Sequence, residues 1–102
     1  MANNNIAVTL QLSRPIQTHQ GTTRELHFRE MNAGVMIRLK KLPFTIRGND
    51  AGMREIDTDF ALAAKYIAEL TGIEEELLEQ LTPKDFAAAM QVLQELIADA
   101  GN

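Results

Sequence analysis

Cysteine is absent from the 102 residues, and serine occurs only at Ser13. The first absence excludes disulfide scaffolding, thiolate nucleophiles and Cys-based zinc sites, and it fits a reducing compartment. A serine nucleophile would have to be Ser13, close before Pro15, with no evident positioned base. The glycines at 21, 34, 48, 52, 72 and 101 nowhere take the GxGxxG or GxxxxGK spacing of a phosphate-cradling loop. Histidine occurs twice, at His19 and His27, neither with a partner at metal-ligand spacing. They read as a turn residue and as a residue on the open face of a strand. No catalytic group, cofactor or metal is therefore expected. No apolar run approaches the roughly 20 residues of a membrane span, and Met1 to Asn5 is polar without a basic region. Export and insertion are not expected, and the cytoplasm is the expected location.

With 45% hydrophobic residues the chain can close one core, so one domain over 1–102 is expected. Charge is unevenly placed. From 1 to 50, seven basic residues face three acidic ones, a net +4; from 51 to 102, three face eleven, a net −8. Such a split fits a nucleic-acid face, head-to-tail association or docking on a basic partner. The basic residues are few and aromatics make up only 5%. A nucleic-acid regulator using Arg24, Arg29, Arg38, Lys40 and Lys41 is thus a rival reading rather than the leading one.

Ile6, Val8, Leu10 and Leu12 alternate with Ala7, Thr9 and Gln11, the period-two pattern of a half-buried strand. Pro15 should interrupt it, with extended chain resuming from Ile16 to Thr18. His19-Gln20-Gly21 then supplies a turn. Leu26 and Phe28 face one way and Glu25, His27 and Arg29 the other, giving a second strand over 23–30 and an antiparallel hairpin within 6–30. Asn32 can cap a short helix over 33–42 carrying Val35, Met36, Leu39 and Leu42, with Pro43 as its stop. The stretch 43–56 holds Gly48-Asn49-Asp50-Ala51-Gly52 and reads as a flexible loop. A helical segment follows over 57–99. Asp57 or Thr58 caps a helix to residue 71, whose apolar stripe is Phe60, Ala63, Ala64, Ile67 and Leu70, and Gly72 closes it. A short helix carries Glu74 to Glu76 in its first turn, where the macrodipole favours negative charge. Thr82-Pro83-Lys84-Asp85 opens the last helix, with Phe86, Met90, Leu93 and Ile97 on one face. The plan is α+β: an N-terminal antiparallel β-hairpin followed by three to four α-helices.

Six stretches, spread over about residues 10–97, resemble those of the phage tail assembly chaperones that include the Mu-like and P2-like tail proteins. They are Leu12-Ser13-Arg14-Pro15-Ile16, Glu25-Leu26-His27-Phe28-Arg29-Glu30, Asp59-Phe60-Ala61-Leu62-Ala63, Ile67-Ala68-Glu69-Leu70-Thr71-Gly72-Ile73, Glu75-Glu76-Leu77-Leu78 and Leu81-Thr82-Pro83-Lys84-Asp85-Phe86. The resemblance implies a non-catalytic protein of the bacterial cytoplasm that binds the long, largely helical tape-measure protein. It would keep that protein soluble while tail-tube subunits assemble, and would be absent from the mature virion. Tail-tube subunits and a second copy of the chain, as a homo-oligomer, are further candidate partners. Val35, Met36, Leu39, Phe60, Ile67, Phe86, Met90 and Leu93 are the candidate partner-binding residues, some of which must instead be core. A structural tail component retained in the virion is the other rival.

Overall fold

The computed structural model describes residues 6–48, 52 and 54–100. Two long strands, β1 (Ile6–Thr18) and β2 (Gly21–Arg29), form the expected antiparallel hairpin, and Thr18 pairs with Gly21 around a two-residue turn. Gly21 has φ of 103°, a conformation that would strain any residue with a Cβ. Leu26 and Phe28 are fully buried, whereas Thr9, Gln11, Glu25 and His27 make a polar outer face, tied by a Thr9–His27 side-chain contact of 3.2 Å. The ladder breaks where Pro15 implied it would. Gln11 pairs with Glu25 and Ile16 with Thr23, so Leu12, Ser13, Arg14 and Pro15 stand opposite Arg24 alone. This wide bulge bends the strand and turns its free N–H groups toward the helices.

Helix α1 (Ala33–Leu39) starts as expected, with Asn32 Oδ1 accepting from Val35 N at 3.1 Å. It ends earlier than the expected residue 42. Lys40 takes a left-handed φ of 70°, its N–H closing on Met36 O at 2.8 Å. Contacts with the next helix pull the chain away before Pro43 acts: the Tyr66 hydroxyl donates to Lys41 O at 2.7 Å, and Pro43 is buried.

The stretch expected as loop over 43–56 holds two paired strands, β3 (Phe44–Gly48) and β4 (Arg54–Thr58). The turn-forming residues dominate its centre, but Phe44, Thr45, Ile46, Ile56 and Thr58 on either side favour extended backbone. Asn49, Asp50, Ala51 and Met53, the heart of the loop reading, lie outside the described residues. The pairing also corrects the next helix start. Asp57 and Thr58 are taken up opposite Thr45 and Phe44, and Asp59 caps α2 (Phe60–Thr71) instead, accepting from Leu62 N at 3.1 Å. Gly72 ends it at φ 75°. Helix α3 (Glu75–Leu78) and the long α4 (Pro83–Ala100) follow. Thr82 caps α4 through Asp85 N at 3.1 Å. The observed class is α+β, with an N-terminal hairpin and, among the described residues, four helices.

One cluster of buried side chains joins these elements: Leu26 and Phe28 of β2, Val35 of α1, Tyr66, Ile67 and Leu70 of α2, Leu78 of α3, and Ala89, Leu93 and Leu96 of α4. At roughly 1.5–3 kcal/mol per fully buried large apolar side chain, this cluster is what holds the hairpin to the helices.

Candidate partner-binding groove

Two polar anchors lock the N-terminal hairpin to the C-terminal helix and to the turn that precedes it. Asp85 is 4% exposed, and its carboxylate accepts from Ser13 N and Ser13 Oγ at 3.0 Å and from Arg14 N at 3.3 Å. The bulge of β1 therefore has its unpaired N–H groups satisfied by a side chain 71 to 72 positions away. Burial pushes the Asp85 carboxyl up, but the hydrogen bonds from Ser13, Arg14 and Thr82 outweigh it and hold the group below its ordinary range. Beside it, Gln80 acts as a stand-in for a third strand. Gln17 N donates to Gln80 Oε1 at 2.9 Å, and Gln80 Nε2 donates to Gln17 O at 2.8 Å. At the opposite end of α2, Arg29 donates to Glu69 O and Leu70 O, and Arg38 pairs with the Glu69 carboxylate at 2.7 Å. These two cations sit at the negative end of a helix whose own last turn has no basic residue. Two of the five side chains of the nucleic-acid reading are thus engaged within the molecule.

The anchors set α2, α3 and the start of α4 around an apolar groove of about 510 Å³. Phe60 and Phe86 form one wall, their rings edge to face with centroids 6.3 Å apart. Ala61 and Ala64, one turn apart on α2, keep one side shallow, while Leu78, Leu81 and Pro83 line the other. Glu75 and Glu79 stand on the rim, and Lys65 pairs with Glu75 at 3.3 Å. Phe60 is 62% exposed, an unusual state for a residue on the apolar stripe of its helix. A helix capped at Asp59 begins here, so Phe60 sits in the first turn with no preceding turn to cover it.

The eight candidate contact residues divide. Val35, Ile67 and Leu93 are buried in the core; Met36, Leu39, Phe86 and Met90 are half-buried and pack against it; Phe60 stands open. Only Phe60 and Phe86 are brought together at the groove. Sequence reasoning did not single out Ala61, Leu78, Leu81 and Pro83 as its lining. The usable signal was the three stretches Asp59–Ala63, Glu75–Leu78 and Leu81–Phe86, all of which border it. His19 lies in the turn and contacts Glu74, and His27 lies on the outer strand face. Among the described residues, no three His, Asp or Glu side chains are grouped as metal ligands would be. No described helix is long and apolar enough to cross a membrane.

Residues 9–98 match the family model described as phage tail assembly chaperone proteins, E, or 41 or 14. Neither a curated protein nor a solved structure matches the chain. Because the match spans nearly the whole chain, from the first strand through the last helix, this protein belongs to the phage tail assembly chaperone family.

Proposed function

We propose that the chain serves tail assembly without catalysis, by holding a helical segment of the tape-measure protein in the Phe60–Phe86 groove. The open Phe60 ring beside an apolar groove lined on one side by Ala61 and Ala64 is the observation that carries this reading. An amphipathic helix laid into such a groove presents anchors at i, i+3 or i+4 and i+7, and it excludes water from its own apolar stripe. Alanine at 61 and 64 allows the incoming backbone to approach closely. The acidic rim at Glu75 and Glu79 selects a segment with lysine or arginine beside its apolar face. A long tape measure has many such stripes, so several copies of the chaperone would cover it until tube subunits replace them. On this reading the protein acts in the host cytoplasm and is left out of the finished virion.

The test is co-expression with the tape-measure protein, followed by affinity capture and size-exclusion chromatography. The wild-type chain should co-elute with a soluble tape measure. Phe60→Glu should abolish both co-elution and rescue while leaving the circular dichroism spectrum intact. A Phe60→Glu chain that rescues as well as wild type would remove the groove from the mechanism. Mass spectrometry of purified particles checks the location, and a chain found there at stoichiometric levels would make it a structural tail component.

A further inference from the structure

Besides Ile6, the large apolar side chains exposed among the described residues are Ile37, Leu42 and Phe60, at 73%, 44% and 62%. Two of these belong to one patch. Asp59 N donates to Pro43 O at 2.8 Å, which carries the β3–β4 register one step past the Phe44–Thr58 pair. Leu42 and Phe60 directly adjoin the two residues joined by that bond, so both exposed side chains belong to the same end of the molecule, beside the groove that Phe60 and Phe86 line. The charges on the two sides differ in sign. Lys40 and Lys41 immediately precede Leu42, and Glu75 and Glu79 rim the far side of the groove. Among the described residues, Lys40, Lys41 and Glu79 form no ion pair.

We propose that this patch pairs with the same patch of a second copy about a two-fold axis, each chain's Lys40 and Lys41 facing the other's Glu75 and Glu79. A two-fold axis brings one side of a patch against the opposite side of its copy. An apolar centre with a basic flank and an acidic flank is therefore complementary to itself. A basic helix in the groove would use the acidic rim alone and leave the lysines idle, whereas a copy of this chain satisfies both flanks at once. Pairing covers Phe60, so the dimer shields the groove while it is empty, and a client must compete with it. The proposal does not rest on the tape-measure reading, because it concerns the chain alone.

Sedimentation velocity of the purified chain tests it. At low salt the wild type should sediment at twice the 11.4 kDa chain mass, and raising salt should shift it toward monomer as the flanks are screened. Leu42→Glu and Phe60→Glu should each give the monomer with an unchanged circular dichroism spectrum. Lys40→Glu/Lys41→Glu and Glu75→Lys/Glu79→Lys should each be monomeric alone, yet an equal mixture of the two should recover the dimer. Glu75 also pairs with Lys65, so Glu79→Lys alone provides a second acidic-side variant that keeps that bridge. A wild type that stays monomeric at every concentration, an assembly larger than two, or reversed chains that fail to combine would each overturn the proposal.

Discussion

Asp85 keeps its charge where burial opposes it, because four donor groups converge on one carboxylate. Replacing it by alanine leaves the N–H groups of Ser13 and Arg14 without an acceptor inside the bulge. Asp85→Ala should cost about 2–4 kcal/mol in urea unfolding. Asp85→Asn should cost less, since its amide oxygen still accepts. The sign of the pH dependence follows from the folded carboxyl titrating below its unfolded value of about 3.9. Its stabilisation is present above that value and is lost as pH falls through the lower folded value. Melting temperature followed down into the acid range should therefore fall more steeply for wild type than for Asp85→Asn. Tyr66 behaves in the opposite sense. Burial pushes its phenol above the ordinary value, so its contribution is complete below about pH 10 and is lost as the folded group ionises. Tyr66→Phe should cost about 1 kcal/mol by orphaning Lys41 O, and it should remove that alkaline loss.

At the level of elements, α2 organises the molecule through its two ends. Its N-terminus is tied to the residue before β3 by Asp59 N to Pro43 O, and its C-terminus receives Arg29 from β2 and Arg38 from α1. Gly72 lets the chain leave the helix in the left-handed region and turn toward α3. A Cβ there would meet only Arg29 Nη2 at 4.0 Å, so the penalty for Gly72→Ala is backbone strain rather than a clash. Thermal or chemical denaturation should show a loss of about 1 kcal/mol. The second hairpin marks how local signals compete. Its turn chemistry was plain in the sequence, but its strands are five residues each, too short for alternation to stand out beside Gly, Asn and Asp.

Across the whole molecule, residues of the same apolar stripes have divided between core and surface, and mutation should separate the two roles. Leu93→Ala should cost about 2–5 kcal/mol by opening a cavity beneath α2. Phe60→Ala should change stability by only about 0.5 kcal/mol yet weaken capture of the tape-measure protein. Denaturation midpoints and co-elution, measured on the same two variants, check this contrast. If Phe60→Ala unfolds the chain as readily as Leu93→Ala does, the ring is core and the groove is not open.

Outside residues 43–56, the element types, the N-terminal hairpin, the Asn32 cap, the Gly72 stop and the Thr82-Pro83 start were all legible in the sequence, because each rests on periodicity or on backbone chemistry within a few residues. Family membership was legible for a related reason: its stretches include cap and turn residues whose spacing is local. It took the packing of distant elements to bring Ser13 and Asp85 together, to end α1 early at Lys40, to cover Val35, Ile67 and Leu93 but not Phe60, and to enclose a groove between α2, α3 and α4. Periodicity places a side chain on a helix face, but which part of that face is buried depends on neighbours distant in the chain. That information lies in how the elements pack, where burial of Leu26, Tyr66 and Leu93 outweighs any local preference.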